Sequence, residues 1–104
     1  MVANAQGCVI MRARPRLDAN HNDIVKALRA VGASVQSLAS VGGGCPDILV
    51  GVRKVNAVFE IKDGTQSPSR RALTDDEKDW HAAWRGTVYV IESVEQALQV
   101  VASL

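Results

Sequence analysis

Two short apolar runs separated by four residues constrain this chain more than any other feature. Ile48-Leu49-Val50-Gly51-Val52 offers no polar face, so it reads as a strand covered on both sides. Ala57 to Lys62 is the next extended run, and Arg53-Lys54-Val55-Asn56 between them has room only for a turn. The two runs are therefore expected to pair as an antiparallel hairpin.

The flanking pattern supplies what covers that hairpin. Ile24, Val25, Leu28 and Val31 recur at intervals of three and four, an apolar stripe on a helix. Asp18 or Asn20 can cap its start, and Gly32 ends it. Ser34 to Leu38 alternates as a short strand. Beyond Lys62, a polar loop through Ser67-Pro68-Ser69-Arg70-Arg71 leads to Thr74 and Glu77, spaced as a capping box for a helix reaching about Trp84. Gly86 breaks that helix and Thr87 to Ile91 forms another strand. Ser93 with Gln96 repeats the capping spacing, and Val94, Leu98 and Val101 mark a final amphipathic helix. The order α-β-β-β-α-β-α predicts an α/β domain, a central mixed sheet flanked by helices. With 104 residues there is room for one core. The domain is placed at residues 18–104, and residues 1–17 are read as an N-terminal tail or, at Cys8 to Met11, an edge strand.

Composition narrows the function. Apolar residues make up 47% of the chain and aromatics 4%, so the core must be aliphatic and the chain is not a disordered one. No apolar run approaches the ~20 residues that span a bilayer, so no membrane role is expected. Gly7 to Met11 is followed by Arg12, Arg14 and Arg16, the reverse of a secretory leader, which predicts a cytoplasmic location. Cys8 and Cys45 make no disulfide framework, and with His21 and His81 they match no zinc spacing. A net charge of +1 argues against non-specific coating of nucleic acid. It leaves room for local phosphate contacts by Arg70 and Arg71, in the loop after the second hairpin strand. The glycine run Gly42-Gly43-Gly44 lacks the Gly-Lys-Ser/Thr of a nucleotide-binding loop.

Chemistry is concentrated in Pro46-Asp47 and Glu60-Ile61-Lys62. Side chains alternate along a strand, so Glu60 and Lys62 emerge on one face about 7 Å apart. The hairpin returns Asp47 opposite the end of the second strand. Two carboxylates and one ammonium at the edge of an apolar sheet are costly unless compensated. Mg²⁺ suits them, since it takes one or two carboxylates and leaves its other positions to water and phosphate. Asp47 and Glu60 are the expected ligands, with the carbonyl of Ile61 as a third oxygen. Lys62 is placed to orient the attacking water and to balance charge on the phosphate. Pro46 fixes the backbone before Asp47, while Gly43 and Gly44 leave room for a phosphodiester. The plainer alternatives are a turn cap for Asp47 and an exposed cross-strand ion pair for Glu60 and Lys62.

Asp47…Glu60-Ile61-Lys62 resembles the signature of the PD-(D/E)XK nucleases. With Gly43-Gly44-Cys45-Pro46-Asp47, Leu73-Thr74…Glu77…Trp80, Gly86 and the closing helix start at Ser93, the chain from about Asp18 onward resembles the VRR-NUC branch, particularly its small stand-alone phage and bacterial members. The resemblance implies a restriction-endonuclease-like core, dependence on Mg²⁺ or Mn²⁺, and endonuclease activity on duplex or branched DNA such as four-way junctions. It also implies a homodimer, a bacterial or phage-infected cytoplasm, and a possible place in a larger phage or repair assembly. Members often carry a Glu on the first helix, where this chain offers Asn20 and Asp23 as candidates to complete the metal site. They often carry Gln where Glu77 stands. Gln66, Arg70 and Arg71 are the candidate DNA contacts, together with Gly43 and Gly44. Trp80 and Trp84, four apart on one helix, are read as core or dimer packing. The alternative function is a non-catalytic DNA-binding or partner-dependent module with a nuclease-like fold, favoured by the missing helix carboxylate.

Overall fold

The structure is a computed structural model that describes residues 17–104. The expected strand at Cys8 to Met11 and the arginines at 12, 14 and 16 lie outside the described residues. The elements are α1 (His21–Ala30), β1 (Ser34–Ser37), β2 (Ile48–Val52), β3 (Val55–Ile61), α2 (Asp75–Ala83), β4 (Val88–Ile91) and α3 (Val94–Ser103), in the order the sequence predicts.

The four strands form one mixed sheet in the order β1-β2-β3-β4. β2 and β3 are the expected antiparallel hairpin, with Ile48 opposite Phe59 and Val50 opposite Ala57. β4 runs parallel to β3, pairing Phe59 with Tyr89 and Ile61 with Ile91, so the chain must cross over between them, and α2 lies on that crossover. The hairpin turn places Arg53 and Lys54 at φ of 48° and 67°, the left-handed pair that a two-residue turn requires. Arg53 also reaches the end of α3, where it donates to the carbonyls of Val101 at 2.6 Å and Leu104 at 2.9 Å. A cation there satisfies carbonyls that the helix leaves without partners.

Alternation on β3 divides the sheet into two faces. Ala57, Phe59 and Ile61 point to one side with Ile48, Val50 and Ile91, where Ile24 and Leu28 of α1 and Ala97 and Val101 of α3 close an aliphatic core. Phe59 is fully buried there, with its ring edge-on to Tyr89 at 5.7 Å. Val58 and Glu60 point to the other side, where α2 lies.

The caps differ from expectation at α1. Neither Asp18 nor Asn20 caps that helix through its side chain. Asn20 instead donates its amide to the carbonyls of Lys62 at 3.1 Å and Glu92 at 3.2 Å, tying α1 to the ends of β3 and β4. Gly32 ends α1 at φ +92°, as read. Thr74 and Glu77 form the full capping box on α2. On α3, Ser93 accepts from Gln96 N–H, but the Gln96 side chain reaches one residue further back, to the N–H of Glu92.

Gly44 fixes where α2 begins. It has φ +84°, and a Cβ there would overlap the carbonyl of Asp76. Gly44→Ala is therefore expected to cost more than about 1 kcal/mol of stability, through both the positive φ and the displaced helix. Gly43→Ala meets open space at a similar φ and is expected to cost less. Chemical denaturation of the two variants beside the parent checks this.

Candidate active site

β3 and the residue that follows it carry two ionisable groups into the protein. Glu60 is 2% exposed and Lys62 9%, so the exposed surface ion pair is not what the fold builds. Asp47 enters from the residue before β2. Its backbone N–H donates to the carbonyl of Phe59, and its Oδ2 accepts from the N–H of Ile61 at 2.6 Å. That reach across the hairpin sets the Asp47 carboxylate against Glu60. Asp47, Glu60 and Lys62 line one cleft of about 380 Å³, with the Gly42-Gly43-Gly44 loop on one wall and the start of α2 on another.

Two contacts from α2 hold the β3 charges. Lys62 Nζ donates to Glu77 Oε1 at 2.8 Å. His81 Nε2 lies 3.2 Å from Glu60 Oε1. Glu77 Oε1 also accepts from the Thr74 N–H at 2.9 Å, so the carboxylate that caps α2 is the same one that pairs with Lys62. Among the described residues α2 buries none of its own. The helix sits on its polar contacts and on the gap that Gly44 leaves.

The electrostatics follow from crowding. Glu60 is pushed up to about 9, first by burial, then by hydrogen bonding to Asp47 and by the charges of Asp47 and Glu77, against which Lys62 pulls it down. Burial alone would lower Lys62, but the Glu77 contact outweighs it and the ammonium is held above its ordinary value. Glu77 is lowered overall: burial raises it, and the bonds from Lys62 and Thr74 more than offset that. The Cys45 thiol is raised by burial and by its acidic neighbours, which keeps it protonated and unsuited to attack.

A buried Glu60 raised to about 9 beside the Asp47 carboxylate is a donor set short of positive charge. A divalent cation would replace that proton, so these residues fit the group that the sequence implies. Among the described residues no three His, Cys, Asp or Glu side chains make a ready cage. Two carboxylates, with water and phosphate filling the remaining positions, is the arrangement Mg²⁺ ordinarily takes.

The remaining sequence candidates fall in different places. Neither Asn20 nor Asp23 lines the cleft; Asn20 binds strand-end carbonyls, and Asp23 is exposed on α1. Asp18, read from sequence only as a cap, does line it, and is raised first by burial, with Asp47 among the charges acting on it. Gln66 and Arg70 share a neighbouring hollow with Asp18. Arg71 is engaged within the fold, with both oxygens of Glu92 at 3.3 Å and the carbonyl of Gln66 at 3.1 Å. Trp80 and Trp84 stack at 4.6 Å, and Trp84 is 49% exposed, so it is not core. His81 was missed as a site residue. Its signal was the interval Glu77 to His81, one helical turn, facing the Glu60-to-Lys62 interval on the strand.

Comparison with known proteins gives one informative match. A solved structure described as a VRR_NUC domain superposes with a TM-score of 0.58 at 25% sequence identity, covering 78% of this chain and 92% of its own. No family model matches the chain, and no curated protein matches it.

The Glu60 environment sets a pH dependence. The unfolded chain releases this proton near 4.5, while the folded protein holds it to about 9. The folded state binds the extra proton between those values, so its stability falls as pH rises across that window. In the presence of a chelator, the melting temperature is expected to decline from about pH 5 to about pH 9. Glu60→Gln should flatten that decline; equal slopes for the two proteins would contradict the carboxyl pairing.

Proposed function

We propose that this chain, whose fold is that of the VRR-NUC family, is a Mg²⁺- or Mn²⁺-dependent nuclease that hydrolyses phosphodiester bonds within duplex or branched DNA. One observation carries the reading: Asp47, Glu60 and Lys62 meet in a single cleft, the two acids short of positive charge and the amine beside them.

Asp47 and Glu60 hold the cation, and the carbonyl of Ile61 is the candidate third oxygen. When bound, the cation supplies Lewis acidity at the phosphodiester and lowers the pKa of an attacking water. Asp47 is pre-set for this by the Ile61 N–H, which fixes Oδ2 and with it the plane of the carboxylate. Lys62 uses one of its three protons on Glu77 and keeps the others for a phosphate oxygen or the nucleophile. Its raised pKa keeps it charged throughout the neutral range, as charge balance at phosphorus requires. Arg70 and Gln66, beside the cleft mouth, are assigned to the DNA backbone. Arg71 is assigned to holding their loop. One small domain covers little duplex, so cleavage of both strands calls for two copies, and the exposed Trp80–Trp84 stack is a candidate contact between them. Sedimentation as a monomer at working concentration would remove the dimer and leave the nuclease.

Two observations favour a second reading, a non-catalytic DNA-binding or partner-dependent module. Lys62 is already paired with Glu77, and α1 places no carboxylate in the cleft. Incubation with plasmid and with four-way-junction DNA, in Mg²⁺ or Mn²⁺ and again in a chelator, separates the two. The nuclease reading expects cutting only with the metal, and a loss of at least about 100-fold in Lys62→Ala. Binding of DNA without cutting by either protein would make the module correct.

A further inference from the structure

We propose that His81 is a positioning residue of the cation site, holding one oxygen of Glu60 so that the other is presented toward Asp47. The inference rests on the reading of this cleft as a cation site, and adds to it a residue outside the Asp47, Glu60 and Lys62 set.

The geometry is a two-rung ladder. Glu60 near the end of β3 and Lys62 just past it, two apart in extended backbone, lie about 7 Å apart. Glu77 and His81, four apart on α2, lie about 6 Å apart along the helix. The helix runs against the strand, so the repeats match and both rungs close: Lys62 with Glu77 at 2.8 Å, Glu60 with His81 at 3.2 Å. The His81 side chain is 15% exposed and that of Glu60 3%, so solvent offers little competition for the contact. The ring is steadied from behind by Trp80, edge-on with centroids 6.2 Å apart.

A carboxylate with one hydrogen-bonded oxygen cannot swing about its last torsion, and it meets an ion with the other oxygen already aimed. Groups that fix a metal ligand in this way commonly contribute 10- to 100-fold to affinity. Charge alone does not explain the contact. A hydrogen bond from Nε2 aims the carboxylate whatever the charge on the ring, so the contact has a use beyond neutralisation.

Mn²⁺ binding tests the assignment without recourse to DNA cleavage. Titrations followed by calorimetry or electron paramagnetic resonance would compare the parent, His81→Ala, His81→Gln and Glu60→Gln. Glutamine carries a donor nitrogen close to the position of Nε2. Of the chain's two tryptophans, Trp80 lies on α2 and Trp84 at its C-cap, stacked on each other, so their emission reports whether that helix stays in place in each variant. The expected result is Mn²⁺ affinity lowered at least tenfold in His81→Ala, restored to within about threefold in His81→Gln, and abolished in Glu60→Gln. Affinity in His81→Ala within twofold of the parent overturns the role of His81 and leaves the cation site standing. Equal weakening in His81→Ala and His81→Gln, with unchanged emission, also overturns it. A parent protein that binds Mn²⁺ no better than Glu60→Gln overturns the cation site itself, and His81 with it.

Discussion

Burying Glu60 and Lys62 on the second face of β3 is the constraint from which the rest of the site follows. Neither side chain could stay there unaided, because a polar group, and still more a charge, is costly to take from water without a partner. α2 supplies the partners at a spacing that matches the strand. That helix has no buried face of its own and would be a weak element if left to propensity. Its capping box, its ion pair with Lys62 and its contact with Glu60 are one connected set, because the same Glu77 oxygen accepts from Thr74 and from Lys62. The order of α2 and the electrostatics of the cleft are thus a single property. Gly44 belongs to it as well, since only a residue without a side chain lets the first turn of α2 come close enough for either rung to form.

The other face does a separate job. Phe59 and Ile61 lie between and beside the charged positions in sequence, yet they point into a dry aliphatic core closed by α1 and α3. A one-residue slip in the β2–β3 register would place Glu60 in that core and Phe59 in the cleft, so the apolar demand of one face holds the polar register of the other. Arg53 at the end of α3 and Asn20 across the ends of β3 and β4 lock the same sheet from its margins. The geometry of the cleft is set by a rigid plate, and only the loop walls and α2 are built from polar contacts.

Much of this could be read in the residues before any coordinates. Ile48 to Val52 and Ala57 to Lys62 had to pair, because the turn between them allowed little else. Pairing then brought Asp47 toward Glu60 by arithmetic. Thr74 with Glu77 announced α2 by a local hydrogen-bond pattern that needs no tertiary context. What escaped was non-local. The use of Asn20 as a strap on strand-end carbonyls depends on where β3 and β4 finish, which no spacing near residue 20 encodes. Asp18 enters the cleft because the chain before α1 passes its mouth. Arg71 looked like a free phosphate contact until Glu92, twenty-one positions away, arrived beside it. The spacing of His81 to the cysteines and His21 fits no zinc pattern; its informative relation is to a carboxylate on a neighbouring element, which no interval within α2 encodes by itself.

The acidic count of the cleft explains how it can dispense with a carboxylate from α1. Asp18, Asp47, Glu60 and Glu77 face a single ammonium, that of Lys62, and Glu60, raised first by burial and then by Asp47 and Glu77, keeps its proton to about 9. A neutral glutamine at position 77 could still accept from Thr74 and Lys62 through its carbonyl oxygen, but it would remove one negative charge from the set. Glutamate there restores from α2 the charge that α1 does not bring, and Asp18 adds another from the segment leading into α1. On the proposed reading, the same two ligands would thus be surrounded by a different distribution of acids. On the proposed cation reading Glu77 has two parts: its charge would favour the ion, and its contact with Lys62 holds the amine in place.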